Sequence, residues 1–583
     1  MATPLGGVGN GDISAREGYA NRDYAQYIED YGASAEFNWD LSVGTLTSIT
    51  ALRNWRIQGR SDSDYSQADL LYVPGGGPGT EFQTFTQEIR LAGEVGRLDW
   101  LVGAFYSDET IKRTFSFVTG SQYAQYFAGL DNILAGGTMT PGLGNAPSAG
   151  ASAVVNNLYD ELYTGAFAMP VGAGTAGYSD QYRQEGSSLA FFTHNIFALT
   201  DRTDLTVGLR FTHEEKTLVA DFNTIWDGEA TLDAAITDAE ADAGLPAGTL
   251  AAYSNCNTAV SPGGSLATVI AVARSGYCVP WLRDDLDAIG YDQDRSENEW
   301  SGVISLHHNF TDAIAGYASF SRGYKGGGFN LDRNFASIFT GGSPNTSFAA
   351  ELVDAYELGA KTTWFGGDFL FNIAAYHNEY ENFQLNTFNG IQFVVTSVPS
   401  VEVDGVEIDS TWRTPIEGLS LQGGVAYNDA RYGEDCTPAL SCGGWVQSNR
   451  NPITAEPTLL RLPGSQLTNS PEWTATTAIT YHRPIGSLMG LFYLDARYVG
   501  DQNTGSDLPP SKEQPAYTLV NGRIGIGPAD ERWSLEVWAR NLTDEDYGQI
   551  MFDVPLQLGT AGPTQGAFLG DPRTYGVTLR ARF

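Results

Sequence analysis

Apolar residues recur at every second position through most of the chain. Leu205, Val207, Leu209 and Phe211 are separated by Thr206, Gly208 and Arg210. Trp533, Leu535, Val537 and Ala539 interleave with Ser534, Glu536, Trp538 and Arg540. The last residues place Tyr575, Val577, Leu579, Ala581 and Phe583 against Thr574, Gly576, Thr578, Arg580 and Arg582. A period of two sends successive side chains to opposite faces of a strand, so each run predicts a β-strand with one apolar and one polar face.

The runs pair into hairpins across short turns such as LTDRTDL (199–205), WFGGDFL (364–370) and GPADERW (527–533). The predicted pairs are 32–41 with 44–60, 80–93 with 97–117, 183–199 with 204–221 and 296–310 with 313–330. Further along they are 350–364 with 368–387, 392–413 with 418–432, 470–483 with 489–503, and 514–528 with 532–549, with 573–583 alone. Stretches 118–182, 222–295, 433–469 and 550–572 read as long loops, with a short helix over 230–244. Soluble strands average about five to six residues; these runs reach roughly ten to twenty, with Arg and Glu in the middle of the polar face. A polar interior, an apolar exterior, and short turns alternating with long loops describe an all-β, transmembrane, antiparallel outer-membrane β-barrel.

Composition narrows the field further. Lys and Arg number 33 against 69 Asp and Glu, a net charge of −36 over 583 residues. No basic surplus exists to displace counterions, so nucleic acid is excluded as a partner. With 42% hydrophobic residues the chain is too apolar for an acidic disordered protein. No apolar run is long enough for a membrane-spanning helix. The four cysteines fall as two local pairs, Cys256 with Cys278 and Cys436 with Cys442, in polar loop-like stretches. They predict two disulfides formed in an oxidising compartment; four buried reduced thiols are the alternative. The first residues, MATPLGGVGNGDIS, have neither the positive nor the apolar region of a signal peptide.

Chemistry-bearing motifs are scarce. His213-Glu214-Glu215 lacks the second histidine of a zinc helix, and adjacent His307 and His308 would point to opposite faces of a strand. Gly326-Gly327-Gly328 lacks the Lys-Ser/Thr that completes a phosphate loop and reads as the end of a strand at the extracellular rim. No nucleophile elbow occurs. The sequence therefore predicts no enzyme, no metal and no cofactor.

Several stretches closely resemble TonB-dependent outer-membrane receptors: FTQEIRLAGEVGRLDWLVGAFY (85–106), FSRGYKGGGFN (320–330), ELVDAYELGAKTTWFGGDFLFNIAAYHNEYENFQ (351–384), ARNLTDEDY (539–547) and DPRTYGVTLRARF (571–583). The resemblance implies a 22-stranded barrel, of which about 17 strands are recognisable here. It gives an irregular segment over 1–30 and a partial barrel over 31–583, without signal peptide, TonB box, plug or first strands. The implied function is active uptake of a scarce large substrate such as a ferric siderophore, an oligosaccharide or a cobalamin-like cofactor. A passive porin-like channel or a surface binding protein is the alternative.

Implied partners are outer-membrane lipid, the TonB–ExbB–ExbD complex acting through a plug, and the barrel-assembly machinery, which would read Tyr575 and Phe583 at the terminal strand. The chain is expected to be monomeric, in the outer membrane of a Gram-negative cell. Small-molecule or glycan ligands would meet the loop aromatics Trp226, Tyr253, Tyr277, Trp281 and Trp445, because aromatic rings stack on sugars and aromatic chelators. The polar-face charges Glu88, Arg90, Arg210, Glu357, Lys361, Arg497, Glu536, Arg540, Arg580 and Arg582 are expected to face the lumen, where the family's plug would hydrogen-bond to them.

Overall fold

The computed structural model describes residues 15–126, 172–242, 244, 246–249, 277, 282, 287, 291–333, 345–388, 393–433, 464–506, 508–559 and 562–582. Seventeen long strands follow one another along the chain. They are β1 (Ala25–Leu41), β2 (Gly44–Asp62), β3 (Thr80–Val95), β4 (Leu98–Thr119), β5 (Gly177–Thr200) and β6 (Thr203–Asp221). Next come β7 (Tyr291–Thr311), β8 (Ile314–Lys325), β9 (Glu351–Trp364), β10 (Phe369–Phe388), β11 (Phe393–Arg413) and β12 (Leu419–Tyr432). The last five are β13 (Trp473–Ile485), β14 (Leu488–Val499), β15 (Tyr517–Pro528), β16 (Trp533–Arg540) and β17 (Thr574–Ala581).

Every strand pairs antiparallel with its sequence neighbours, from Leu41↔Gly44 at the first turn to Leu535↔Leu579 at the last ladder. The meander forms a single sheet, the outer-membrane barrel fold that the alternation predicts. Among the described residues β1 pairs only with β2, β17 pairs only with β16, and no ladder joins β1 to β17. The two ends of the sheet are instead linked by side chains. Arg16 Nη2 lies 2.7 Å from Asp546 Oδ1 and its Nη1 donates to Gly570 O at 2.8 Å. The Tyr65 ring packs 5.2 Å from that of Phe552.

The short connections lie at one end: 42–43, 96–97, 201–202, 312–313, 365–368, 414–418, 486–487 and 529–532. Gly96 and Gly486 both take φ 64, which a two-residue hairpin turn needs and an L side chain resists. At Gly418, φ is +82 and a Cβ would stand 1.9 Å from His482 O, so only glycine fits. All the long connections lie at the other end. One carries a helix, α1 (Gly228–Asp242), started by Asp227, whose Oδ1 accepts from the Ala230 amide at 3.1 Å.

All eight predicted hairpins and the lone terminal strand are found, with four corrections. The second strand of the last hairpin, expected over 532–549, ends at Arg540. β1 starts at Ala25, inside the segment expected to be irregular over 1–30. Tyr27, Glu29 and Tyr31 give no clean apolar face; pairing with Gln58, Arg56 and Asn54 makes this stretch a strand. The expected loop 550–572 is mostly a separate hairpin, Gly548–Gly559 with Gly562–Leu569, whose register slips between Asp553 and Leu558 and so breaks the alternation. The expected loops 118–182 and 222–295 are shorter than predicted, because β5 begins at Gly177 and β7 at Tyr291. Those strand ends are polar on both faces and carry no period-two signal.

Candidate functional site

The two faces of the sheet have opposite chemistry. Leu52 (57% exposed), Phe191 (57%), Leu358 (66%), Ile524 (58%) and Leu579 (70%) lie on the outer face. Glu536 on the inner face is 7% exposed, between Leu535 at 40% and Val537 at 47%. A soluble sheet would bury the leucines and expose the glutamate.

The outer apolar belt ends in aromatic pairs at both edges. Toward the loops stand Phe211–Trp300 with centroids 4.9 Å apart, Phe320–Tyr356 at 5.0 Å and Tyr427–Trp473 at 4.9 Å. Toward the short turns stand His308–Phe310 at 4.7 Å and Phe369–Trp412 at 6.4 Å. Along β7, Trp300 and Phe310 are ten residues apart, about 33 Å of strand, or roughly 23–27 Å of height at the 35–45° tilt of barrel strands. That is the height of the lipid-facing band of an outer-membrane barrel, about 25 Å, bounded by its two girdles. β5 has 24 residues, so its loop end stands well clear of this band.

The ladder register places nine of the ten sequence-predicted polar-face charges on the face opposite Leu535 and Val537; Arg582 follows the last paired residue, Ala581. Several of them interact. Arg90 Nη1 donates to Glu88 at 3.1 Å. Arg210 lies over the rings of Phe105 (5.4 Å) and Phe192 (5.6 Å). Glu357 accepts from the Tyr317 hydroxyl, and Lys361 Nζ is 5.8 Å from the Tyr317 ring. Glu536 accepts from Arg580 at 2.6 Å, with Arg523 at 3.7 Å. Arg540 lies over Trp538, and Arg582 is 3.9 Å from Glu531 at the turn end.

The loop end is packed around buried charges. Arg333 Nε donates to Asp180 Oδ2 at 2.8 Å and its Nη1 to Thr224 Oγ1 at 2.9 Å, beneath the rings of Tyr178 (4.3 Å) and Phe222 (5.4 Å). Neither Arg333 nor Asp180 exposes any side-chain surface. This clamp ties together the top of β5, the start of the β6–β7 connection and the segment after β8. Burial pushes the Asp180 carboxyl upward, while the guanidinium hydrogen bonds pull it back. Burial also opposes the Arg333 charge, yet its bonds to Asp180 hold it above the ordinary arginine value.

Beside it, Gly326-Gly327-Gly328 folds back over the inner face. Lys216 Nζ donates to Gly327 O at 2.8 Å, and the Gly327 amide donates to Glu297 at 2.9 Å. A Cβ on Gly327 would sit 2.1 Å from Arg295 Nη2, so any larger residue there would displace the Arg295 guanidinium. The glycines follow the end of β8 at Lys325, as expected of a rim, and Gly328 pairs with Phe348.

A second buried group sits in the β2–β3 connection. Asp64 accepts from the amides of Leu70 (3.0 Å), Leu71 (2.9 Å) and Ser66 (3.1 Å). Asp62 accepts from the amides of Asn21, Asp64 and Tyr65. Burial, then the charge of Asp62, pushes the Asp64 carboxyl up to about 7.

Of the predicted loop aromatics, Trp226 and Tyr277 pack on each other at 5.7 Å, and Tyr277 is fully buried, so in this arrangement both serve loop packing. Tyr253, Trp281, Trp445, the four cysteines and Phe583 lie outside the described residues. Tyr575 is 81% exposed on the outer face of the terminal strand. Sequence reasoning missed Arg333, Asp180 and Asp64. Asp180 and Arg333 are 153 positions apart, in stretches without periodicity.

A family model described as TonB dependent receptor-like, beta-barrel, matches residues 2–542. Solved structures with the same fold include the ferric yersiniabactin uptake receptor FyuA of Yersinia pestis, 15% identical with a TM-score of 0.60, covering 96% of this chain and 62% of that one. The siderophore receptor PiuA of Acinetobacter baumannii is 14% identical with a TM-score of 0.57, covering 96% and 65%. The ferric-catecholate import receptor Fiu of E. coli K12, in its closed form, is 13% identical with a TM-score of 0.53, covering 97% and 65%. This chain thus spans 62% to 65% of the length of these proteins.

Proposed function

The chain belongs to the TonB-dependent receptor-like β-barrel family, and from that premise we propose that it is the wall of an outer-membrane receptor for active uptake of a scarce, large solute such as a ferric siderophore. The observation that carries this reading is the apolar belt between two aromatic girdles, backed by a charged inner face. Lipid stabilises the outer face, and water fills the space behind the inner one. The nine inner-face charges then line the lumen, and a plug driven by TonB–ExbB–ExbD would pack against them. The loop cluster held by Arg333 forms the outer mouth, where solute is captured. Likeness to FyuA and Fiu, named for ferric yersiniabactin uptake and ferric-catecholate import, and to PiuA, named as a siderophore receptor, favours a ferric chelate over a sugar.

Two experiments test it. In the first, Leu535→Arg or Val537→Arg places a cation in lipid at about 2–4 kcal/mol near the bilayer midplane, less toward the interface. Heat-modifiable, membrane-inserted protein should be lost in these variants and kept in Glu536→Ala. Equal assembly of all three would reverse the assignment of faces. In the second, iron-starved cells carrying the intact gene should accumulate labelled ferric siderophore only when TonB is functional. TonB-independent accumulation would favour a passive channel instead.

A further inference from the structure

The inner wall is not electrically uniform. On β1–β2, Asp30, Glu36 and Asp40 outnumber Arg53. On β9–β11, Glu357, Glu407 and Asp409 outnumber Lys361. On β14–β17 the sign reverses: Arg497, Arg523, Arg540 and Arg580 share the face with two acids, Asp495 and Glu536, a sector of net +2 in a chain of net −36.

The register spreads the four arginines up the wall. Arg580 stands opposite Ser534, near the short turns. Arg523 is opposite Trp538 and Tyr493. Arg540 is one residue beyond the Gly522–Ala539 pair, and Arg497 is opposite Leu519. At about 3.3 Å per residue the four cover roughly 27 Å of strand, from the turns toward the loops.

The two acids are already engaged. Glu536 is held by Arg580 and Arg523, and Asp495 accepts from Asn521 at 2.8 Å. Arg540 and Arg497 are exposed and have no ion pair among the described residues. The surface that carries them is stiff. Trp538 lies over Gly576, where a Cβ would be 2.5 Å from its ring, and its Nε1 donates to Thr578 at 3.0 Å. Arg540 lies 5.5 Å over Trp538, and Arg523 lies 4.9 Å over Tyr493.

We propose that β14–β17 is the docking face for a carboxylate-bearing side of the plug, and that this contact sets which way round the plug sits in the lumen. The contact rests on the plug-filled lumen of the proposed function and adds the chemistry of one side of it. A plug pressed against this sector takes water away from Arg497 and Arg540. A guanidinium without water is stable only beside an acceptor, so an apolar or basic plug side would strand both charges. Carboxylates match the planar forks bidentately. The acid-rich β1–β2 and β9–β11 repel the same carboxylates, so one rotation of the plug is favoured over the others.

The receptor expressed from its intact gene is probed in the outer membrane with two crosslinkers, and the products are mapped by peptide mass spectrometry. A carbodiimide joins a lysine amine to a carboxylate with loss of water and adds no spacer. Arg497→Lys and Arg540→Lys should each couple to carboxylates outside residues 1–583, about tenfold above the unsubstituted receptor. The native Lys361, on the acid-rich β9, should not. Coupling only to the wall's own Glu536 or Asp495, or equal coupling from Lys361, overturns the docking face. In parallel a benzophenone, which inserts into any nearby C–H bond, is placed at Ser534 and at Gln422. Capture of a segment outside residues 1–583 from either position upholds the plug-filled lumen whatever its charges. With that capture but no lysine coupling, the docking face falls and the plug stands. With neither capture nor coupling, the plug reading falls and the docking face with it.

Discussion

The short-turn end and the long-loop end use the same ion pairs in opposite settings. At the turns, Arg97 reaches the next hairpin, pairing with Asp201 at 2.7 Å and donating to Leu199 O, with side chains 61% and 92% exposed. Arg202 does the same toward Asp312 and Phe310 O. At the loops, Arg333 and Asp180 make a forked pair with no exposed surface. Water already satisfies the first kind, which is worth about 0–1 kcal/mol. The second has lost its water, so removing one partner strands a charge at a cost of about 3–5 kcal/mol. The turns are held by backbone ladders and need little help from charge. Apart from the Gly548–Leu569 hairpin, the described loop segments have no long ladders of their own and rely on buried polar anchors.

The sharpest way to break this contrast is Arg333→Met. It should lower the stability of the loop cluster by about 3–5 kcal/mol, read as faster limited proteolysis between β5 and β9, with the sheet intact. Adding Asp180→Leu should recover much of the loss, because no charge is then left buried. Proteolysis of Arg333→Met at the parental rate would make the clamp incidental.

Asp64 sharpens the contrast through pH. Its folded carboxyl titrates near 7, above the unfolded value, so the folded loop keeps a proton that the unfolded chain releases. The β2–β3 loop should therefore lose stability as pH rises from about 4 to about 7 and then level off. Hydrogen exchange at the Leu70 and Leu71 amides, corrected for intrinsic rates, should show more protection at pH 5 than at pH 8. Asp64→Asn should flatten the difference, and the opposite slope would mean that the amide donors outweigh burial.

Smaller effects follow at the helix and at the turns. Asp227→Ala removes the cap of α1 and should cost about 1 kcal/mol, visible as faster exchange at the Ala230 amide. Arg97→Ala should cost less than about 1 kcal/mol, and less still in high salt. A larger, salt-independent loss in Arg97→Ala would erase the distinction between the two ends.

The same contrast explains what could be read from the sequence. Strands inside the lipid belt must alternate, because one face meets hydrocarbon and the other water. Leu535, Glu536 and Val537 state their faces without any structure. Beyond the belt both faces meet water or other loops, and alternation stops. That is why Tyr291–Arg295 and Ala25–Tyr31 are not predicted as strand, and why Gly548–Leu569 is not predicted as a hairpin. The inner-face charges could be found by parity alone. The Arg333–Asp180 clamp could not, because nothing local marks two residues 153 positions apart as partners.

One contact fixes the order of events. Each strand pairs with its sequence neighbour, so the sheet can be laid down hairpin by hairpin at little closure cost, long loops adding only logarithmically. Arg16 and Asp546 are 530 positions apart. Asp546 follows β16, so their bond spans the strands from β1 to β16. It is therefore a clock hand for assembly: a crosslink between positions 16 and 546 should appear only after the ladders that join β1 to β16.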